Sequence, residues 1–209
     1  MGRTRIKVCG VRDPETAVAA VESGADAIGL VFEPSSPRYV EPEEAWEIAS
    51  FLPPFVTKVG LLVNPTPEEF MRVKEQCPFD YGQLHGSESE DVVRACGPWI
   101  IKAVRFSEAT IEAELRRWSE VDEIDALLID GSAGGMGETF DWSLLARVAH
   151  LSDHPLILAG GLTPENVGEA IRVVKPYAVD VSSGVESARG VKDPSRVAAF
   201  CEAVRRAER

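Results

Sequence analysis

The sequence predicts an α/β protein built on a parallel sheet, on three observations. Short β-branched or apolar runs alternate with amphipathic stretches, strand before helix, along the whole chain. The alternation repeats eight times. Several helix starts carry the same punctuation, a capping side chain followed by Pro and an acidic residue.

The strand-like runs are Thr4–Cys9, Ala27–Phe32, Val56–Val63, Tyr81–Leu84, Trp99–Val104, Ala126–Ile129, Pro155–Leu158 and Tyr177–Val181. Helices are expected near 14–23, 43–52, 67–76, 88–96, 108–118, 142–149, 164–174 and 194–207. Asp13-Pro14-Glu15, Thr66-Pro67-Glu68, Thr163-Pro164-Glu165 and Asp193-Pro194 read as helix N-termini, and Glu41-Pro42-Glu43 is a looser form. Eight strand–helix units in 209 residues fit a single-domain (β/α)8 TIM barrel, α/β in class, spanning residues 1–209. An open doubly wound sheet fits less well, because no GxGxxG follows the first strand.

Composition narrows the function classes. With 44% apolar residues the chain can build a core, and no apolar run approaches the ~20 residues of a membrane-spanning helix. The first residues are too short for a signal-peptide core, so a cytoplasmic location is expected. A net charge of −12 disfavours nucleic-acid and anionic-membrane partners, both of which recruit Lys and Arg. A locally positive pocket for a small phosphorylated molecule remains compatible with it. Cys9, Cys77, Cys96 and Cys201 show no CxxC spacing, and His85, His150 and His154 are not spaced as zinc ligands, so no metal is expected. Cys77, Cys96 and Cys201 read as small apolar fillers. The sequence leaves monomer and homodimer both open.

In such a barrel chemistry gathers at the C-terminal strand ends and the loops beyond them. That rule nominates Lys7, Cys9, Arg38, His85, Arg105, Asp130, the glycines after Ile129, Gly160-Gly161, and Asp180 to Gly184. Within Arg5-Ile6-Lys7-Val8-Cys9, alternation sends Ile6 and Val8 to the helices and Lys7 and Cys9 into the barrel. A buried lysine is costly unless paired or functional. Beside Cys9 it is expected to lower the thiol pKa from its reference of about 8.5, making thiolate available as a base.

Ala126-Leu127-Leu128-Ile129-Asp130 points Asp130 inward at its strand's end, where desolvation raises a carboxyl toward useful acid strength. A turn-capping aspartate is the bland alternative. Arg38, after the second strand, suits a two-pronged hold on a carboxylate or phosphate. His85 reads equally as a core histidine or a pocket donor. Glycine loops at Gly134-Gly135-Met136-Gly137, Gly160-Gly161 and Ser182-Ser183-Gly184 suggest backbone binding of phosphate.

These strings resemble the phosphoribosylanthranilate isomerase family over almost the whole chain. The resemblance is carried by Lys7-Val8-Cys9-Gly10, Ser36-Pro37-Arg38-Tyr39-Val40, Gln83-Leu84-His85-Gly86, Gly134-Gly135-Met136-Gly137 with Phe140-Asp141-Trp142, Leu158-Ala159-Gly160-Gly161-Leu162 with Asn166-Val167, and Asp180-Val181-Ser182-Ser183-Gly184-Val185-Glu186. Met136 departs from the Thr or Ser common there. The resemblance implies an Amadori rearrangement without cofactor or metal, Asp130 as general acid and Cys9 as general base. It implies Arg38 at the anthranilate carboxylate and backbone groups at Gly161, Ser183 and Gly184 at the phosphate. Lys7, His85 and Asp180 are expected at the substrate from their strand-end positions, with a structural role for Asp180 as the alternative. The related isomerase of histidine biosynthesis carries aspartate at the end of its first strand, where this chain has Cys9. A phosphosugar epimerase would need metal ligands, and a binding-only barrel is expected to lose Cys9 or Asp130.

Overall fold

The computed structural model describes residues 2–131 and 139–208. The glycine-rich loop Gly134-Gly135-Met136-Gly137 lies outside the described residues. Eight parallel strands close into a barrel in chain order. They are β1 (Arg5–Cys9), β2 (Ala27–Val31), β3 (Thr57–Leu62), β4 (Tyr81–Leu84), β5 (Ile100–Arg105), β6 (Ile124–Asp130), β7 (Leu156–Ala159) and β8 (Ala178–Val181). Outside them run α1 (Pro14–Ser23), α2 (Pro42–Ser50), α3 (Pro67–Gln76), α4 (Glu90–Cys96), α5 (Ile111–Ser119), α6 (Trp142–Val148), α7 (Val167–Val174) and α8 (Pro194–Ala207). β1 pairs with both β2 and β8, so the first and last barrel strands meet at one seam.

The caps explain most boundaries. The Asp13 side chain accepts from Thr16 N, and Gly24, at φ 105°, closes α1 by donating to Ala20 and Val21 carbonyls. Thr66 and Glu69 form a reciprocal capping box at α3, and Asp193 accepts from Ser195 and Arg196 N–H groups at α8. Thr163-Pro164 is a correction: α7 begins only at Val167. The Asn166 side chain accepts from Thr163 N and donates to Gly161 O, folding residues 163–166 into a turn. At the other end of the barrel Trp99, at φ 74°, lies outside β5 and follows a cis Gly97–Pro98 bond.

Alternation along the strands builds two cores. Ile6, Val8, Ile28, Leu30, Leu127 and Ile129 face the helices in the outer core. Val59, Ile101, Ala103, Leu128, Ile157 and Ala159 fill the barrel interior. Lys7 and Cys9 are buried on that inward side, as the pattern of β1 required. Gly29 on β2 makes room for Cys9, since a Cβ there would sit 2.7 Å from Sγ.

An ion pair with no local signal in the sequence holds the loops after β3 and β4. Lys102 points outward from β5 into the layer under Trp118, where Nζ donates to Glu88 Oε2 at 2.8 Å and to Gly86 O at 2.8 Å. Glu88 Oε1 accepts from Asn64 N and Gly86 N, both at 2.9 Å. Burial raises the Glu88 carboxyl, but Lys102 pulls it below its ordinary value. The pair therefore fixes the backbone that carries His85. Removing one partner of such a buried pair strands the other charge. Glu88→Ala is expected to cost about 3–5 kcal/mol, measured as a fall in urea midpoint at unchanged slope. A loss below about 1 kcal/mol, the scale of an exposed pair, would refute this role.

Candidate active site

A cavity of about 590 Å³ opens at the C-terminal end of the barrel. Its lining brings together Cys9 from β1, Arg38 after β2, His85 after β4, Asp130 from β6, Gly160-Gly161 after β7, Asp180 from β8, and Ser183-Gly184 beyond it. Most of the sequence candidates thus converge on one space. Arg105 does not; it ends β5, exposed, and lines a separate groove with Ser107 and Arg117. Lys7 sits a layer below the cavity, among the residues of the barrel's N-terminal end.

That depth changes the reading of Lys7 and Asp180. Their strands are paired residue for residue at this point, and Lys7 Nζ donates to Asp180 Oδ1 at 2.9 Å. Burial pulls the ammonium down, yet Asp180 and Cys9 hold its pKa above the ordinary value. Lys7 is a floor cation facing an internal partner, and a direct substrate contact from it is not what the geometry offers.

The thiol is also corrected. Burial pushes the Cys9 pKa up, Lys7 pulls it down without prevailing, Asp180 adds to the rise and Lys192 opposes it. The lowered value expected from Lys7 alone neglected desolvation, which acts on the anion from every side. Cys77, Cys96 and Cys201 are buried fillers, with burial pushing each thiol up to about 11.

Arg38 is held differently from expectation. Its Nε and Nη2 donate to Glu186 Oε1 and Oε2 at 2.7 and 3.0 Å, so the side edge of the guanidinium is already occupied. The end edge, Nη1 with the second hydrogen of Nη2, is the one left for a ligand. Glu186 opens a small antiparallel hairpin, β9 (Glu186–Ala188) and β10 (Val191–Lys192), between β8 and α8. Its carboxylate also accepts from Lys192 Nζ at 2.8 Å and Gly190 N at 3.1 Å. Burial raises this carboxyl, but the Arg38 and Lys192 hydrogen bonds take it down to about 2. Lys192 further donates to Ser182 O and Oγ at 3.1 and 3.2 Å, and Ser182 Oγ donates to Cys9 O at 3.0 Å.

On the opposite wall the Gln83 amide nitrogen donates to His85 Nδ1 at 2.8 Å. The ring proton then sits on Nε2, which lies 3.3 Å from Asp130 Oδ2. His85 therefore presents its Nε2 side to the carboxyl. The loops after β7 and β8 press together so closely that a Cβ on Gly184 would meet Leu162 O at 1.8 Å. Gly160 and Gly161 take φ of 84° and 65°, which brings their backbone to the cavity. This is a concave, backbone-lined cradle of the kind that receives phosphate. Gln83, Glu186 and Lys192 carry roles that no single-residue reading of the sequence assigns. Among the described residues no three His, Cys, Asp or Glu side chains gather in a metal-binding group, and no helix is long and apolar enough to cross a membrane.

Residues 6–203 match the family described as N-(5'phosphoribosyl)anthranilate (PRA) isomerase. The N-(5'-phosphoribosyl)anthranilate isomerase of Moorella thermoacetica is 48% identical over 206 residues, covering 98% of this chain and 91% of its own. The phosphoribosyl anthranilate isomerase structure from Thermotoga maritima shares 42% identity, covers 97% of this chain and 98% of its own, and superposes with TM-score 0.89. Another solved structure of that organism's enzyme is described as of monomers generated from a dimeric protein. A family structure holding reduced 1-(o-carboxyphenylamino)-1-deoxyribulose 5-phosphate shares 40% identity, covers 97% of this chain and 98% of its own, and has TM-score 0.87.

The burial of Cys9 generates a direct test. Thiolate ultraviolet absorbance, taken as wild type minus Cys9→Ser, is expected to titrate with a midpoint above the reference thiol value of about 8.5. A midpoint below that value would mean that the lysines outweigh desolvation.

Proposed function

The chain belongs to the phosphoribosylanthranilate isomerase family, and from that premise we propose how its cavity performs the rearrangement. The enzyme converts N-(5′-phosphoribosyl)anthranilate to 1-(2-carboxyphenylamino)-1-deoxyribulose 5-phosphate, a step of tryptophan biosynthesis. The observation that carries the assignment of roles is the meeting of Cys9, Asp130, Arg38 and the β7–β8 backbone cradle around one cavity.

Asp130, entering protonated, gives its proton to the furanose ring oxygen as the C1′–O bond breaks, and the anilino nitrogen lone pair forms the Schiff base. Cys9 thiolate then removes the C2′ proton, and those electrons neutralise the iminium to give an enolamine. Tautomerisation of the enolamine gives the ketone. The Nε2–H of His85 fixes the orientation of the Asp130 carboxyl. Arg38 takes the anthranilate carboxylate on its end edge, and backbone N–H groups at Gly161, Ser183 and Gly184 take the phosphate. Lys7 and Asp180 hold the floor on which Cys9 stands.

Because the thiol sits above its usual pKa, only a minor fraction is ionised near neutrality. The rate through Cys9 therefore climbs with pH until the thiol titrates. We place this work in the cytoplasm, on a small phosphorylated substrate, with neither nucleic acid nor membrane as partner, consistent with a net charge of −12.

A homodimer is the assembly we infer. Phe55, at φ 70° and 103% exposed, projects from the turn before β3 at the N-terminal end of the barrel. Beside it lies a cavity of about 330 Å³ lined by Phe55 itself, Tyr81, Ile157 and Tyr177. A knob next to a hole on one face is self-complementary under two-fold symmetry.

Turnover of freshly generated substrate, followed by its fluorescence decay, is expected for wild type and to persist in EDTA. Cys9→Ala and Asp130→Asn are each expected to lose about 10²–10⁴-fold. Unaffected variants would overturn the acid–base assignment, and an inactive wild type would overturn the function. In light scattering after size exclusion, wild type is expected at twice the chain mass and Phe55→Ser at the chain mass. A monomeric wild type would end the dimer reading.

A further inference from the structure

We propose that Glu186 and Lys192 are positioning residues that aim Arg38 at the substrate carboxylate and keep its positive charge uncancelled. The inference rests on the isomerase reading above, in which Arg38 receives that carboxylate.

Two contacts fix the arginine. The fork onto Glu186 locks the plane of the guanidinium through Nε and Nη2. The alkyl stem crosses Gly10 so closely that a Cβ there would lie 2.5 Å from Arg38 Cδ. With stem and side edge both held, the end edge is the part that faces a ligand in the cavity Arg38 lines. A preorganised donor binds without the entropy cost of ordering a long side chain.

The fork alone would create a difficulty. One arginine and one glutamate in bidentate contact carry no net charge, and an electrically neutral pair attracts a carboxylate weakly. Lys192 removes the difficulty. It shares Glu186 Oε1 with Arg38, and its side chain is only 2% exposed against 5% for Glu186. The buried triad therefore carries one net positive charge beside the cavity, in surroundings where water screens little. Lys192 cannot itself reach out as a floating cation, because its ammonium is also anchored on Ser182 O and Oγ. Its contribution is charge and position delivered through Arg38. The hairpin that carries both residues is fitted to the same task. Gly190, at φ 81°, lies against Pro37 O, where a Cβ would approach to 2.4 Å, so the hairpin packs directly on the loop bearing Arg38.

The test uses two probes on the whole protein, reduced 1-(o-carboxyphenylamino)-1-deoxyribulose 5-phosphate and its phenylamino counterpart lacking the carboxylate. Affinities are measured by calorimetry for wild type, Arg38→Met, Lys192→Met, Lys192→Gln and Lys192→Arg. Wild type is expected to prefer the carboxylate probe, and Arg38→Met to lose that preference. Lys192→Met is expected to lose on the order of tenfold, about 1.4 kcal/mol, for the carboxylate probe and under about twofold for the other. Lys192→Gln keeps hydrogen bonding without charge, so it is expected to match Lys192→Met and decides the matter if that variant does not fold. Lys192→Arg is expected to recover most of the preference. Equal losses on both probes, or no loss on either, would overturn the proposal, since a merely structural lysine cannot distinguish them. If Arg38→Met retains the preference, the carboxylate assignment of Arg38 fails instead and this proposal falls with it.

Discussion

The interaction on which the rest of the molecule depends is the ion pair between Lys7 and Asp180. It lies inside the barrel, at the seam where β1 meets β8, with both side chains nearly out of reach of solvent. Two charges there are tolerable only together, so the seam closes in the register that brings them face to face. That register sets the height of everything above it. Cys9 stands one inward position beyond Lys7, and Ser182 lies just beyond the end of β8 to catch the Cys9 carbonyl. The same pair helps set the electrostatics of the thiol, since Lys7 and Asp180 act on it with opposite signs while burial decides the outcome.

Around this floor the walls are built from loops that side-chain contacts hold in place. The loop after β2 is gripped by the hairpin after β8, through Arg38 and Glu186. Loops after β3 and β4 are gripped from β5, through Glu88 and Lys102. Asn166 closes the turn after β7 onto Gly161. Loops are ordinarily the soft part of such a fold. Here buried charge pairs and side-chain caps stiffen the ones that carry the chemistry, which is the condition for placing an acid, a base and a cationic clamp around one small ligand.

Much of this is legible in the sequence because alternation and capping are local. Ile6, Lys7, Val8 and Cys9 declare their faces by parity, and Asp13, Thr66 and Asp193 each declare a helix by the proline next to them. Asp130 is aimed inward by the same rule, and strand ends plus barrel topology gather Arg38, His85, Gly161, Asp180, Ser183 and Gly184 around one cavity. The features that escape a sequence reading are non-local. Thr163-Pro164 looks like a helix start, but Asn166 turns back to satisfy Gly161, and that bond exists only in the folded loop. Parity gives Lys7 the right face and leaves its depth open, because depth is fixed by its partner on the last strand. The thiol pKa runs opposite to expectation because a neighbouring ammonium is visible in sequence and desolvation is not. Glu186 stands inside a recognisable motif and Lys192 stands in none, since the meaning of both lies in a shared contact with Arg38. The one signal for the hairpin, a glycine at 190 and an isolated lysine before the Asp193 cap, is too common to be decisive.

The seam has a consequence for how the protein comes into being. Lys7 and Cys9 leave the ribosome well before the groups they meet, since Asp180 and Ser182 each lie 173 residues from their partner on β1. At roughly 5–20 residues per second, about nine to thirty-five seconds separate the synthesis of these two residues from that of their native partners. The contacts that close the ring also span the longest loops, so their closure carries a large entropy cost. A chain interrupted before β8 has no strand for the second side of β1, and that open edge is one for chaperones or proteases to find.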